Sequence, residues 1–204
     1  MDDNVKTIKK WLDSGSINIF GLPFSGKDTQ GNILAETFDG VMISSGDILR
    51  HDHGNKQIQE IMAEGGIIPS ELFEQIVLPY LSRKELMGRP LILSSVGRSE
   101  GEEPIIMHAT ENSGHPIKAV IILNLSEEDV WSRFDEAKLE HDRGERLDDK
   151  AEALKHRLEE FQNKTLPVIR FYRQHRLLVE IDGTLPKEDV TQQIIDKLYE
   201  LATE

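Results

Sequence analysis

The amino-acid sequence predicts an α/β fold with three layers, α/β/α, in which helices cover both faces of a five-stranded parallel sheet. Five short apolar segments alternate with segments of helical periodicity along the 204 residues. The fourth segment, AVIILNL at 119–125, is apolar almost throughout, as strands buried on both faces are. Such alternation is typical of parallel sheets, whose strands are joined by helical crossovers.

The first predicted helix places Val5, Ile8, Trp11 and Leu12 on one side and stops near Gly15. We expect this helix to serve packing alone. The predicted strands occupy 16–20, 40–43, 90–93, 119–125 and 177–181. Between them, the longest predicted helix is a charged segment from 148 to about 172.

Two stretches fall outside the alternating pattern, at about 44–75 and at about 134–147. Ligand-binding segments are often inserted at the carboxyl ends of parallel strands. We therefore expect a single domain, residues 1–204, that carries two mobile flaps over one site.

The charge balance restricts the possible partners. With 37 acidic and 24 basic residues, the net charge of -13 argues against a nucleic-acid-binding protein, which needs a basic face. The absence of cysteine excludes disulfides and thiolate metal sites. No apolar run is long enough to span a membrane, and we expect a cytoplasmic monomer.

A phosphate-binding loop is the strongest motif in the chain. The segment GLPFSGK satisfies G-x-x-x-x-G-K between a predicted strand and a predicted helix, which is the context that this motif requires. Backbone N–H groups and the helix N-terminus form an anion site there, and Lys27 adds a positive charge. A chance glycine-rich turn would not combine all four features. The residues expected to bind ATP here are Gly21, Pro23, Ser25, Gly26, Lys27, Asp28 and Thr29.

From this loop onward the chain resembles the adenylate kinase family. That family has G-x-P-G-x-G-K-G-T-Q where this chain has GLPFSGKDTQ. Six further family-like segments follow in the same order, so that the resemblance covers about residues 16 to 200. They are ISSGDILR, GGIIPSEL, the Gly-Arg pair at 97–98, RGERLDD, KTLPVIRFY and IDGTLPKEDV.

The resemblance implies a P-loop NTPase core with a monophosphate-binding flap at about 44–75 and a short lid at about 134–147. It implies transfer of the ATP γ-phosphoryl group to a nucleoside monophosphate, AMP before others, with Mg²⁺ as the metal that accompanies ATP. The lid segment is short and lacks four Cys or His ligands, so no zinc is expected.

On the monophosphate side, the resemblance assigns Ser45 and Arg50 to the nucleotide and the backbone near Ile68 to its base. It assigns Arg98 to the phosphate of the monophosphate. Arginine suits these roles because its planar group of donors matches phosphate oxygens.

The resemblance assigns Arg146 and Arg157 to the bound monophosphate and to both phosphates during transfer. On the ATP side, the resemblance places Arg133 over the adenine and within reach of the ATP phosphates, and the backbone from Thr184 to Pro186 against that base. Several arginines are expected because phosphoryl transfer depends on alignment and charge neutralisation.

Three departures from the family pattern affect the phosphate site. Phe24 replaces a glycine, so either its backbone avoids positive φ or the turn is altered. Asp28 replaces another glycine, where a carboxylate would repel ATP unless it turned away or Mg²⁺ neutralised it. Ser94 replaces the family's acidic residue that orients the metal's waters. We hypothesise that Asp28 supplies the missing carboxylate, with Thr29 as a further candidate to contact the metal.

A fourth departure concerns the base. The family has Gln four residues after the arginine that matches Arg98, and this chain has Glu102. An ionised carboxylate only accepts hydrogen bonds, which suits guanine better than adenine. AMP is the first choice by resemblance. A kinase that prefers GMP or a pyrimidine monophosphate, and a nucleotide-binding module that has lost catalysis, remain alternatives. Glu103 is a second candidate to face the base.

Overall fold

The computed structural model describes residues 2–51, 56–140 and 150–204. A five-stranded sheet has the order β2-β3-β1-β4-β5, and every neighbouring pair is parallel. The predicted parallel sheet is confirmed, and each strand boundary lies within two residues of its predicted position. The strands are β1 (Ser16–Gly21), β2 (Val41–Ser44), β3 (Leu91–Ser94), β4 (Ile117–Asn124) and β5 (Leu178–Asp182).

Helices connect the strands and flank the sheet. In the described ranges, no helix has both the length and the apolar character needed to cross a membrane. The helices are α1 (Asp2–Leu12), α2 (Lys27–Thr37), α3 (Ser45–His51), α4 (Lys56–Ala63), α5 (Ser70–Ile76), α6 (Leu78–Leu81), α7 (Glu103–Asn112), α8 (Glu127–Glu140), α9 (Ala151–Glu160), α10 (Leu166–Gln174) and α11 (Lys187–Thr203).

The two faces of the sheet carry separate apolar clusters. On one face α1, α2 and α11 pack against β1 and β4, and Ile8 and Leu12 of α1 are fully buried. On the other face α10 packs on the same two strands through Val168, Ile169 and Tyr172. Successive residues of a strand point to opposite faces, so both faces are covered as the nearly continuous apolar strands require.

The long helix predicted at 148–172 is interrupted. Within residues 150–174 the structure has α9, a π-helical turn (Phe161–Thr165) and then α10. Pro167, in the first turn of α10, has no N–H to donate, so a regular helix cannot run through this point. The irregular turn directs the hydroxyl of Thr165 to the carbonyl oxygen of Arg98, at 3.1 Å.

The segment predicted as a monophosphate flap contains α3, α4 and the start of α5. These helices pack on β3 through an apolar cluster that includes Leu49, Ile58, Phe73 and Leu93. The first part of the segment predicted as a lid, residues 134–140, belongs to α8. Its first residue, Phe134, is buried. The remaining lid residues, 141–147, lie outside the described part of the chain.

Candidate active site

The phosphate-binding loop joins the carboxyl end of β1 to the first turn of α2. Gly26 has φ 83° and directly precedes α2, so that the loop turns into the helix. Gly21 lies against the side chain of Ser25, which leaves no room for a Cβ atom at Gly21. The N-terminus of α2 thus points into the cleft and provides a site that favours anions.

The phosphate-binding loop has a left-handed residue at Phe24, where the sequence departs from the expected glycine. Phe24 has φ 63°, a left-handed conformation that side chains rarely adopt. Its ring is buried and meets the Phe134 ring edge-to-face, with 5.6 Å between centroids. Packing of the ring against α8 therefore offsets the backbone strain. Of the two outcomes expected from the sequence, avoidance of positive φ is wrong, and an altered turn stays a prediction.

This arrangement predicts an unusual order of stabilities at position 24. We expect Phe24→Ala to be less stable than Phe24→Gly by about 1 kcal/mol, because both lose the ring but only alanine keeps the strained φ. Urea unfolding of the two variants measures the difference. An alanine variant more stable than the glycine variant would show that residue 24 is not left-handed.

A cleft opens between the phosphate loop and the residues from α3 to α5. A second, smaller cleft lies beside it. Three cationic side chains, Lys27, Arg98 and Arg157, line both clefts. They come from α2, from the loop after β3 and from α9, so the fold brings together charges that are distant in sequence.

Arg133, which the sequence assigns to ATP, binds two backbone carbonyl groups. Its guanidinium donates to the carbonyl oxygen of Phe24 at 3.2 Å and to that of Gly183 at 2.7 Å. It therefore joins the phosphate loop to the turn that contains the predicted adenine contacts, Thr184 to Pro186. In that turn, hydrogen bonds from Thr184 hold the pKa of the Asp182 carboxyl below its ordinary value.

The residues that the sequence assigns to the monophosphate lie on α3, in the loop after β3 and before α5. The hydroxyl of Ser45 donates to the carbonyl oxygen of Ser95 at 2.8 Å, which fixes the start of α3 against that loop. Ile68 is buried at the entry to α5. Arg98 stands in the same loop and faces the cleft with Arg157.

Glu102 has a different environment from the predicted one. It is 2% exposed, and its Oε2 accepts the N–H groups of Arg98 and Ser99 at 2.8 and 3.0 Å. Its Oε1 accepts the hydroxyl of Ser70 at 2.6 Å. The carboxylate that was expected to face a base instead accepts hydrogen bonds at both oxygens, at Oε2 from its own loop before α7 and at Oε1 from Ser70 of α5. Glu103 likewise accepts the N–H of Gly101, at 2.6 Å.

Two predicted site residues are not fully covered by the described part of the chain. Arg146 falls outside the described residues, and so does the side chain of Arg50, although Arg50 belongs to α3. In the described ranges, no group of three or more His, Asp or Glu residues is arranged to hold a metal ion. Oxygen donors do line the cleft, from Asp28, Thr29 and Ser94.

Sequence reasoning missed a contact between α9 and the residues before α5. Oε2 of Glu160 accepts the N–H of Ile67 at 3.1 Å and also the ammonium group of Lys164 at 2.6 Å. Nδ1 of His156 lies 2.8 Å from the carbonyl oxygen of Glu64. The Gly65-Gly66 pair was the only signal in the sequence, because a close approach of two backbones needs such residues.

A parallel sheet with a phosphate loop at its carboxyl edge, and a lysine with two arginines around one cleft, define a P-loop phosphotransferase. Comparison with known proteins refines this class. The adenylate kinase family model matches residues 19–177, and the chain belongs to this family. It is a phosphotransferase that acts on nucleoside monophosphates, as the resemblance predicted.

Similar proteins match over most of their length. The chain is 29% identical to an adenylate kinase of Fusobacterium nucleatum, covering 86% of this chain and 94% of that protein. It is 30% identical to one of Leifsonia xyli, covering 89% and 92%, respectively. An adenylate kinase of Prochlorococcus marinus is 31% identical, with 85% and 91% covered.

Proposed function

We propose that this enzyme transfers the γ-phosphoryl group of ATP to AMP and forms two molecules of ADP. The observation that carries the proposal is the position of Lys27, Arg98 and Arg157 around clefts that run from the phosphate loop to α9. Phosphoryl transfer requires two anions held in line and neutralisation of the moving charge. Three cations from three elements of the fold supply both requirements.

The cations take different parts in the proposed reaction. Lys27 and the N–H groups of the phosphate loop bind the ATP phosphates, and Arg98 binds the phosphate of AMP. Arg157 lines the same clefts and stabilises the charge on the phosphoryl group as it moves. A phosphate oxygen of AMP attacks the γ-phosphorus, and ADP leaves with the oxygen that bridged the β- and γ-phosphates.

The remaining predicted residues bind the two nucleosides. Arg133 and the turn from Thr184 to Pro186 accommodate the adenine of ATP, since Arg133 already lies against the neighbouring Gly183. Ser45 and the backbone of Ile68 contact AMP. Arg50 and Arg146 complete the set by family resemblance alone.

Magnesium is the metal that we propose for the ATP side. Its preferred ligands are oxygens, and Asp28, Thr29 and Ser94 bring oxygen donors to the cleft that contains Lys27. When bound, Mg²⁺ neutralises phosphate charge. The chain's own contribution is to hold these oxygens beside the loop that binds the phosphates.

AMP is favoured over GMP by the environment of Glu102. Recognition of guanine would require the Glu102 carboxylate to face the base, but Ser70, Arg98 and Ser99 already donate to its two oxygens. Base selection then depends on the backbone near Ile68, which is buried beside the cleft. This leaves the family preference for AMP as the best-supported acceptor.

Two segments are proposed to move. Residues 44–75 close on AMP, and they already contact α9 through Gly65 and Ile67. A short lid within 134–147 closes on ATP. Closure would exclude water and so limit hydrolysis of ATP. We expect the enzyme to act as a monomer, since Met87 is the one large apolar side chain exposed in the described residues.

A coupled assay of ADP formation with ATP, Mg²⁺ and AMP, GMP, CMP or UMP in turn tests the proposal. We expect kcat/KM for AMP to exceed that for each other monophosphate by about a hundredfold or more. The Lys27→Ala variant should show no turnover. Preference for another monophosphate would replace AMP as the acceptor. Absence of turnover with retained ATP binding would contradict the proposed reaction and favour a nucleotide-binding module.

A further inference from the structure

Two side chains at the base of the larger cleft contact each other directly. The hydroxyl of Ser94 donates to Oδ1 of Asp28 at 2.6 Å. Ser94 is the last residue of β3 and is 2% exposed, and Asp28 is the second residue of α2. Both line the cleft together with Lys27. A hydroxyl and a carboxylate are therefore joined beside the site for the ATP phosphates.

In P-loop NTPases generally, a Ser or Thr hydroxyl directly after the loop lysine and an aspartate from the core hold the magnesium ion. This chain has the same two functional groups in exchanged positions. The carboxylate follows Lys27 directly, and the hydroxyl stands at the end of β3. Because β3 is the neighbour of β1 in the sheet, with Ser94 paired to Ile19, the exchange leaves both groups at one place.

We infer that Asp28 and Ser94 are an inverted magnesium pair, in which the loop residue supplies the carboxylate and the strand residue holds it in position. This inference rests on the proposed use of ATP. Asp28 provides the oxygen and the negative charge that Mg²⁺ prefers. Ser94 is a positioning residue, since its hydrogen bond restricts the carboxylate of Asp28.

The charge of Asp28 gives the inference a measurable consequence. A carboxylate in the first turn of α2 competes with phosphate for the same helix N-terminus. It also repels the phosphates of metal-free ATP, whereas Mg²⁺ between them converts the repulsion into attraction. ATP binding should therefore depend strongly on Mg²⁺, and this dependence should require Asp28.

The simpler alternative is that Asp28 only stabilises the start of α2. Acidic residues are favourable in the first turn of any helix, through the helix dipole. On that view Asp28→Asn would lower stability slightly and leave the Mg²⁺ dependence of ATP binding unchanged. The exposed Asp189, in the first turn of α11, provides a matched control for this helix effect.

Calorimetric titration of ATP with Mg²⁺, and separately with EDTA, gives the ratio of the two dissociation constants. We expect Asp28→Asn to reduce this ratio about tenfold or more, both by weakening ATP binding with Mg²⁺ and by strengthening it without the metal. Asp189→Asn should leave the ratio unchanged. The double variant Asp28→Ser with Ser94→Asp should recover most of the ratio that Asp28→Ser alone loses. Thermal unfolding of each variant verifies that it folds.

Each result supports or overturns the inference. An unchanged ratio in Asp28→Asn overturns it, and so does a double variant no better than Asp28→Ser. Wild-type protein that binds ATP equally well with Mg²⁺ and with EDTA overturns the pair but leaves the proposed function standing. Wild-type protein that binds no ATP under either condition contradicts the proposed function itself.

Discussion

Replacing Arg157 by alanine is expected to lower kcat about a thousandfold or more, with a far smaller change in ATP binding. Arg157 lines both clefts together with Lys27 and Arg98. A cation in this position interacts most strongly when charge spreads over the phosphoryl group in transit. Its loss should therefore affect the transition state more than either ground-state complex.

Steady-state kinetics with ATP and AMP measure the effect, and calorimetry measures the binding of each nucleotide separately. Arg157→Lys keeps the positive charge but not the planar group of donors, so we expect it to recover little of the lost rate. Arg170→Ala serves as the control, because Arg170 is exposed on α10. If Arg157→Ala raised KM for AMP and left kcat unchanged, Arg157 would be a binding residue only.

The sheet was predictable because its strands are short, apolar and separated by helical segments. β4 shows this best, since all its residues from Ala119 to Leu123 are buried. The phosphate loop was also predictable, because strand, glycines, lysine and helix follow one another within a few residues. Both are local patterns, and local patterns are what a single sequence displays.

Features that depend on distant contacts were not predictable. Phe24 has a left-handed backbone that is stabilised by packing of its ring on Phe134. The residues near Phe24 in the sequence do not predict that contact. The contacts of Glu102 depend on how its loop folds back to Arg98 and Ser99. The replacement of glutamine by Glu102 was visible in the sequence, but the sequence could not show which donors would reach its oxygens.

The contact between Asp28 and Ser94 was predictable only in part. The sequence shows an unexpected carboxylate at one position and a missing one at the other, which suggested an exchange. The two residues are 66 positions apart, and only the parallel pairing of β1 with β3 brings them within hydrogen-bonding distance. The hydrogen bond between Ser94 and Asp28 therefore supports the hypothesis of an exchange. The magnesium dependence of ATP binding tests this hypothesis.

A second large effect is expected at Gly65, where the residues before α5 meet α9. A Cβ atom at Gly65 would collide with the carbonyl oxygen of Ala153 and lie 2.8 Å from Cγ of Arg157. Gly65→Ala should therefore push this segment away from α9 and weaken the bond from Ile67 to Glu160. Because a displacement of about 1 Å can cost a hundredfold in rate, we expect kcat/KM for AMP to fall about tenfold or more.

Gly114→Ala is the matched control for this experiment. Gly65 and Gly114 both have φ 83°, but a Cβ atom at Gly114 would meet no atom within 4 Å. Both variants should lose about 1 kcal/mol of stability from the strained backbone, and Gly65→Ala should lose more because of its collision with Ala153, as measured by urea unfolding. Only Gly65→Ala should alter kinetics, with KM for AMP raised and KM for ATP nearly unchanged. Equal kinetic losses in the two variants would attribute the effect to backbone strain. Normal kinetics in Gly65→Ala would show that catalysis does not require this contact with α9.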